Sequence, residues 1–355
     1  VGKFGHVNFK GRFTGLQNDF VAYGVFKTGL GRFESDVNLK ISKAGNPAYS
    51  GKLRAFDFNL GSLIDENDIG RITFAADVKG SGDTFKSLTE QISSQIRYID
   101  FKGYRYSNVN IKGSINKRII AGNVTINDKN IKLDIKGTAD YNPAMPDYNL
   151  TGGITDARLN VLKLTKDTVT LTTQLVTRFQ GSNLNNITGK IGLASTRIVN
   201  PRDNFVLDSV TLSVSGAGRE RLISLQSALA DGSIKGNYDV ATLPSYFKAI
   251  IKKYIPSLQT TIVPFRNQQF DFNFKIKNID PLISMFYPDL KIPEQGTFIG
   301  QFNSAEKTAT LNGYIKTIKY GGMVFHDLIL DESTNDNFMG LNISLSKIDL
   351  NQSLF

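Results

Sequence analysis

The sequence predicts a mainly β fold, dominated by one long antiparallel sheet with one polar and one apolar face. From Phe270 to Lys277, large apolar side chains alternate with polar or charged ones, as in a strand with one face in water. Turn signals divide most of the chain into segments of roughly 8–14 residues, longer than the usual strand of about five or six. Helical periodicity is confined to two short segments. Together these observations favour a one-sided sheet over a mixed α/β fold.

The same alternation recurs in segments far apart in the chain. A sheet with one apolar face must cover that face with a second sheet, with helices, by closing on itself, or with lipid. Helical sequence is too scarce to provide the cover. We therefore expect the apolar residues of these strands to line one continuous open groove that binds lipid: Ile131, Leu133, Ile135, Val210, Leu212, Val214, Phe270, Phe272, Phe274, Ile276, Leu341, Ile343 and Leu345.

Turns are predicted where Gly, Asn, Asp and Pro cluster between the alternating segments. The main signals are Gly29, Gly45-Asn46-Pro47, Gly80-Ser81-Gly82-Asp83, Asn127-Asp128, Asn142-Pro143, Gly181-Ser182-Asn183 and Asn335-Asp336-Asn337. The acidic stretch Asp65-Glu66-Asn67-Asp68 also lies between predicted strands, which favours a turn over a metal site.

Residues 242–256 have the first helical pattern. Thr242 is a suitable cap, Pro244 suits a first turn and Pro256 ends the segment. This helix has three interpretations: a cap on a core, a plug or gate within a lipid groove, or a helix on a membrane surface. Its apolar stripe is formed by Leu243, Tyr246, Phe247, Ile250, Ile251 and Tyr254.

A second, shorter amphipathic helix is predicted from Asp280 to Tyr287, before Pro288. With it, the chain is expected to comprise a β-groove segment at residues 1–241, amphipathic helices with a connecting strand at 242–290, and further β-groove at 291–355. No Pro/Ser-rich linker separates these parts. Because the first residues already have a strand pattern and no targeting segment precedes them, we expect the chain to be a fragment of a longer protein.

Two distant segments have the same design. Residues 99–111 and 318–330 both contain Ile, an aromatic residue and Gly at matching positions, then a second aromatic residue, then Asn or Asp before alternating aliphatic residues. Two strand pairs of the same construction indicate a modular, extendable sheet.

The formal net charge of +10 is compatible with acidic lipid head groups or with nucleic acid. Lys and Arg are, however, dispersed along the polar strand faces, as at Lys10, Arg12, Lys275 and Lys277. The aromatic residues share faces with Ile and Leu instead of with basic residues, so nucleic-acid binding is not expected. The chain has no Cys, which excludes disulfides and thiolate sites.

The sequence offers no catalytic constellation, and we expect neither enzymatic activity nor a cofactor or metal. His6 and His326 are isolated from each other and from metal-spaced ligands. The Gly-x-Gly fragments at Gly80 and Gly216 lack the following helix of a nucleotide-binding loop. No Gly-x-Ser-x-Gly nucleophile motif is present.

Several segments in the C-terminal part resemble a known family. They are Asp231-Gly232-Ser233-Ile234-Lys235-Gly236-Asn237-Tyr238-Asp239-Val240, Tyr254-Ile255-Pro256, Gln269-Phe270-Asp271-Phe272, Asp280-Pro281-Leu282, Phe286-Tyr287-Pro288-Asp289-Leu290, Leu311-Asn312-Gly313 and Ile318-Lys319-Tyr320-Gly321-Gly322. This set is similar to the TamB branch of the AsmA-like bacterial envelope proteins, and its Asn-, Lys- and Ile-rich style to members from Bacteroidota. The likeness is clear over residues 95–355.

The resemblance implies a long, curved sheet forming an open, taco-like groove with an apolar interior. It also implies a periplasmic protein of a Gram-negative bacterium, anchored in the inner membrane by an N-terminal segment missing here. The implied partners are phospholipid acyl chains and an outer-membrane Omp85-type barrel protein. The implied role is a bridge for phospholipid movement between the two membranes, or a role in outer-membrane protein assembly.

Two other functions fit the alternating pattern. One is a structural or adhesive β-sandwich, in which two apolar faces pack dry against each other. The other is an outer-membrane β-barrel, since the chain ends in Phe355, although Asn351 and Ser353 interrupt the apolar alternation that leads to it.

Overall fold

The computed structural model describes residues 2–43, 45–82, 87–141, 144–183, 185–201, 204–240, 242, 267–306, 308–334 and 339–350. Its described strands form one open antiparallel sheet of 22 strands, with two short α-helices, so the predicted mainly β, one-sheet architecture is confirmed. The chain divides into two compact units, residues 1–176 and 177–355. Each is described by itself below.

The N-terminal unit contains ten complete strands and the first part of an eleventh. The strands are β1 (Asn8–Leu16), β2 (Asp19–Thr28), β3 (Gly31–Ile41), β4 (Pro47–Asn59), β5 (Ile69–Ser81), β6 (Thr89–Phe101), β7 (Tyr104–Asn116), β8 (Ile119–Asp128), β9 (Ile131–Asp140), β10 (Asp147–Arg158) and β11 (Thr170–Gln180). Each strand from β1 to β9 pairs antiparallel with the next in sequence. The result is a simple meander, and β2 is the only partner of β1 among the described residues.

One edge of the N-terminal sheet, which we call the capped edge, contains the turns at residues 29–30, 60–68, 102–103, 129–130 and 159–169. A 3-10 helix at Gly2–Phe4, the helix α1 (Leu60–Ile64) and the 159–169 loop pack there against the apolar face of the sheet. The core of the unit lies at this edge, where Leu162 is fully buried and Ala157 is 1% exposed. The opposite edge, where β1, β3, β5, β7 and β9 end, is the far edge.

The helix α1 is short because its sequence provides both a start and a stop. The Asn59 side chain accepts a hydrogen bond from the Ser62 N–H at 3.1 Å, and Asp65 ends the helix in the left-handed conformation at φ 59°. Gly61 is required, since a Cβ atom would lie 1.8 Å from the Ile69 carbonyl oxygen. The Lys3 ammonium donates to the Leu63 carbonyl at 2.9 Å and so holds the N-terminal turn against this helix. As predicted, residues 65–68 form a turn.

The C-terminal unit continues the antiparallel pattern. Its strands are β12 (Thr188–Val199), β13 (Asn204–Ser215), β14 (Leu222–Ser227), β15 (Ala230–Asn237), β16 (Gln269–Ile276), β17 (Leu290–Lys291), β18 (Gly296–Asn303), β19 (Thr308–Tyr320), β20 (Met323–Thr334), β21 (Met339–Ser344) and β22 (Lys347–Leu350). The pairing runs β12 to β16 in order, then β18, β19 and β20. The short β17 pairs with β19, whereas β21 and β22 pair with successive parts of β20.

The second predicted helix is present as α2 (Asp280–Phe286), with Pro281 in its first turn. Leu282 of this helix packs against the cluster of Phe205 and Leu207 on the sheet. The first predicted helix, including Leu243, Tyr246, Phe247, Ile250, Ile251 and Tyr254, lies outside the described residues except for Thr242.

Non-glycine residues in the left-handed conformation recur within strands of both units. They are Asp57, Asn108, Asp156, Ser195 and Asp327, with φ between 48° and 52°. At Asn108, Ser195 and Asp327 the regular pairing with the neighbouring strand skips the residue, and at Asp57 the register shifts, as in a β-bulge. Asn108 and Asp327 are equivalent positions of the two similar sequence segments, so both segments form a hairpin with the same local bend.

Candidate functional site

The register of β1 to β10 places the apolar residues of ten strands in four parallel rows on one face of the N-terminal sheet. We number the rows from the capped edge to the far edge. Row 1 is Phe9, Phe26, Phe33, Ala55, Phe74, Ile96, Val109, Ile126, Leu133 and Ile154. Row 2 is Gly11, Gly24, Ser35, Leu53, Ala76, Ser94, Ile111, Val124, Ile135 and Gly152. Row 3 is Phe13, Ala22, Val37, Gly51, Val78, Ile92, Gly113, Gly122, Gly137 and Leu150. Row 4 is Gly15, Phe20, Leu39, Tyr49, Gly80, Glu90, Ile115, Ile120, Ala139 and Tyr148.

These four rows are almost free of charge. Glu90 is the only charged side chain in them, and their only other hydrogen-bonding side chains belong to Ser35, Ser94, Tyr49 and Tyr148. A row crosses the strands, so it presents a continuous apolar track perpendicular to them. Neighbouring strands are about 4.8 Å apart, and the environment along the track therefore changes little from one strand to the next.

The opposite face of the same strands is polar. One of its rows contains Arg12, Asp36, Lys52, Asp77 and Lys112 at positions brought side by side by the register. Opposite charges alternate there, which favours cross-strand attraction in water over a single-sign patch. The sheet of the N-terminal unit thus has one wet and one apolar face over its whole width.

Two rows of the C-terminal unit contain six of the thirteen lining residues predicted from sequence. Leu212, Phe274 and Ile343 belong to one row, and Val214, Phe272 and Leu341 belong to the next. The first row is Ile191, Leu212, Leu225, Gly232, Phe274, Phe298, Gly313, Leu330 and Ile343. The second row is Gly189, Val214, Ile223, Ile234, Phe272, Gly300, Leu311, Glu332 and Leu341.

The other predicted lining residues have more varied surroundings. Leu133 and Ile135 lie in rows 1 and 2 of the N-terminal unit, and Ile131 is buried in the core at the capped edge. Phe270 is 3% exposed because it packs in a cluster with Tyr238 and Phe302. The remaining three are partly buried: Ile276 pairs with Ala230, Val210 with Leu193, and Leu345 lies between β21 and β22.

Cover over the apolar face is uneven. In the described parts of both units, the close backbone contacts of the strands are mainly with the strands hydrogen-bonded beside them. Rows near the capped edge are partly buried by the turns that fold over them. Elsewhere the exposed fraction varies: it is 63% for Phe13, 52% for Leu341 and 57% for Ile343, but 7% for Val78 in row 3.

Phenylalanine and glycine are paired repeatedly across strands of the C-terminal unit. A Cβ atom on Gly232 would lie 2.5 Å from the Phe274 ring, and one on Gly300 would lie 2.4 Å from the Phe272 ring. Each ring therefore lies flat over the backbone of the adjacent strand. This packing keeps the apolar face smooth, because the aromatic side chains lie along the sheet instead of projecting from it.

Asp128 organises the capped edge of the N-terminal unit. Its carboxylate accepts hydrogen bonds from the Tyr104 hydroxyl at 2.6 Å, the Ser107 hydroxyl at 2.5 Å and N–H at 3.0 Å, and the Asn130 N–H at 2.9 Å. Burial raises the pKa of Asp128, but these hydrogen bonds outweigh burial and hold the pKa below its usual value. The network joins β7, the end of β8 and the turn between β8 and β9, where the sheet meets its cap.

Sequence reasoning missed one polar feature of the apolar face. The Tyr49 hydroxyl donates to the Glu90 carboxylate at 3.0 Å, and both residues are in row 4. The signal was present: Glu90 is two residues before Ile92 and thus shares its face. The link between Tyr49 and Glu90 depends on the register of three strands, which one sequence does not specify.

None of the helices in the described part of the chain has the length and hydrophobicity of a membrane span. In the same ranges, no group of three His, Asp or Glu residues is placed to hold a metal ion. No family model matches the chain, and no curated protein or solved structure is significantly similar to it.

Proposed function

We propose that this chain is a segment of a lipid-transfer protein and that phospholipid acyl chains bind along the apolar face of its sheet. The observation that carries this proposal is the set of four rows across ten strands with a single charged side chain. An apolar face of this extent is unfavourable in water unless something covers it.

Acyl chains are a suitable cover on energetic grounds. Each methylene group removed from water contributes about 0.8 kcal/mol, so even partial burial of a fatty acyl chain holds a lipid on the face. Movement along a row exchanges one apolar contact for another of the same kind. A lipid can therefore slide across the strands without exposing its tails, while its head group stays in water at the far edge.

The sequence likeness to the TamB branch supports the wider setting. On that basis we propose a periplasmic location, an inner-membrane anchor, an Omp85-type partner in the outer membrane, and phospholipid movement between the two membranes. The proposed carrier role requires no bond to be made or broken and no cofactor.

The test is a pair of substitutions on one strand. Phe272→Glu places an ion on the apolar face, where burial without a partner costs several kcal/mol, whereas Asn273→Glu places the same group on the polar face. We expect both variants to fold and only the Phe272 variant to lose co-purified phospholipid, measured by mass spectrometry of extracted lipid. Cells dependent on the Phe272 variant should also lose outer-membrane integrity.

The control separates a lipid face from a dry structural face. Asn273→Glu changes the net charge by the same amount, so loss of lipid in both variants would indicate a surface-charge effect. Equal lipid content and equal complementation by the two variants would contradict the lipid-transfer proposal and favour a structural or adhesive role.

A further inference from the structure

Glu90 is placed where a carboxylate is least expected. It is the only charged residue in the four apolar rows of the N-terminal unit, and its cross-strand neighbours in row 4 are Gly80 and Ile115. Row 4 is the row nearest the far edge, and Glu90 is the second residue of β6. An ion on an apolar surface is unfavourable unless it is hydrogen-bonded or meets an opposite charge.

The surrounding residues hold this carboxylate in place. Tyr49 lies two strands away and reaches Glu90 across Gly80. A Cβ atom on Gly80 would lie 2.9 Å from the Tyr49 hydroxyl oxygen and 3.0 Å from the adjacent ring carbon, so a side chain there would obstruct the tyrosine. Burial, followed by the hydrogen bond to Glu90, raises the pKa of Tyr49 to about 12. The hydroxyl therefore stays protonated and donates to the carboxylate at physiological pH.

The hydrogen bond from Tyr49 does not supply a positive charge. In the described ranges no ion pair joins Glu90 to a Lys or Arg, and Lys79 and Lys112 on the two neighbouring strands belong to the opposite face. Glu90 has two carboxylate oxygens, of which Tyr49 engages Oε2. A cation approaching along the apolar face would meet the other oxygen in surroundings of low polarity, where charge-assisted hydrogen bonds are strong.

We infer that Glu90, oriented by Tyr49, binds the ammonium group of amine-bearing phospholipids whose acyl chains lie on rows 1 to 3. This inference rests on the proposed function and names its substrate class. A primary ammonium offers N–H donors and a positive charge to the carboxylate. A phospholipid with an anionic head group and no amine offers neither, and its phosphate is repelled by Glu90.

The experiment measures lipid selectivity. The full chain, stripped of lipid, is incubated with vesicles of equal parts phosphatidylethanolamine and phosphatidylglycerol, and bound lipid is quantified by mass spectrometry. For the wild type we expect an ethanolamine-to-glycerol lipid ratio of about ten, which corresponds to ~1.4 kcal/mol. Glu90→Gln should bring the ratio close to one while total bound lipid stays the same.

Two further variants serve as a control and as a second test of the role of Glu90. Asp77→Asn removes the same charge from the polar face of the neighbouring strand β5 and should keep the wild-type ratio. Tyr49→Phe should lower the ratio without abolishing it, and it provides a second test if Glu90→Gln does not fold. An excess of soluble phosphoethanolamine should not displace bound lipid, because the acyl chains supply most of the affinity.

The outcomes separate the two proposals. A wild-type ratio near one, or an unchanged ratio in Glu90→Gln, would overturn the amine-recognition inference while leaving lipid binding intact. Absence of bound lipid of either class from the wild type would overturn the proposed function and this inference together.

Discussion

At the residue scale, Asp128 shows how a buried carboxylate can stabilise the end of an apolar sheet. Three of its four hydrogen bonds come from β7 and the fourth comes from the turn between β8 and β9, so they fix β7 against the end of β8 and this turn. A buried acceptor with this many donors is favourable in its charged form, and removing the charge leaves donors unsatisfied.

We therefore expect Asp128→Asn to lower the free energy of unfolding by about 2 kcal/mol at neutral pH. Because the folded-state pKa of Asp128 is depressed, its contribution is present above the unfolded-state pKa of about 3.9 and is lost as the pH falls through the folded value. The difference between variant and wild type should shrink below about pH 4. Urea unfolding, followed by circular dichroism at several pH values, measures this difference in the free energy of unfolding.

Asp36→Asn is the matched control, since Asp36 is an exposed carboxylate on the polar face of β3. It should change stability little at any pH. A stability difference for Asp128→Asn that is the same at pH 3 and pH 7 would show that the carboxylate charge is not what the network uses.

At the element scale, the left-handed residues within strands bend the sheet without a glycine. Asn and Asp tolerate this conformation better than other non-glycine residues, and four of the five positions are Asn or Asp. At two of them the backbone N–H is hydrogen-bonded to a threonine on the next strand: Asp57 to Thr73 at 2.9 Å and Asp156 to Thr172 at 3.0 Å. A left-handed residue within a strand thus recurs along the chain as the local cause of a bend.

Replacement of Asn108 tests this bend. Asn108→Val should destabilise the protein by about 1–2 kcal/mol, because a β-branched residue is strained at φ 52°, whereas Asn108→Gly should be tolerated. Asn110→Val, at an exposed position on the same strand without the left-handed conformation, is the control and should be neutral or slightly stabilising. Chemical denaturation compares the three. Equal effects of valine at both positions would contradict the assigned strain.

Sequence periodicity predicted many elements well but not these bends. The alternation from Phe270 to Ile276 gave the correct face for β16, and Pro281 marked the start of α2. A bulge inserts an extra residue into one strand, so the apolar positions change phase there, as between Ile96 and Ile99 in β6. Neither this shift nor the partner of Glu90 follows from local pattern, since both depend on how neighbouring strands align.

At the scale of the whole molecule, the net positive charge of the chain lies outside the apolar rows of the N-terminal unit. The formal net charge is +10, while the apolar rows of the N-terminal unit contain only Glu90 as a charge. The excess positive charge is therefore carried outside these rows, where it can attract an anionic membrane.

This arrangement predicts a salt-dependent rate of lipid delivery. Transfer of fluorescent phospholipid from the protein to phosphatidylglycerol-containing vesicles should be faster than transfer to phosphatidylcholine vesicles at low salt. The advantage should disappear at ~1 M salt, where the Debye length is only about 3 Å. Stopped-flow fluorescence provides the rates. Equal rates to both vesicle types at low salt would show that the positive charge serves some purpose other than membrane approach.

The meander topology has a further consequence for how the protein is made. All the described strand pairs of the N-terminal unit, and most of those in the C-terminal unit, join consecutive strands, so many native contacts form between neighbouring segments of the chain. Such contacts close small loops and assemble quickly. A nascent chain can therefore complete its early hairpins while later strands are still being translated, adding one strand at a time to a growing edge.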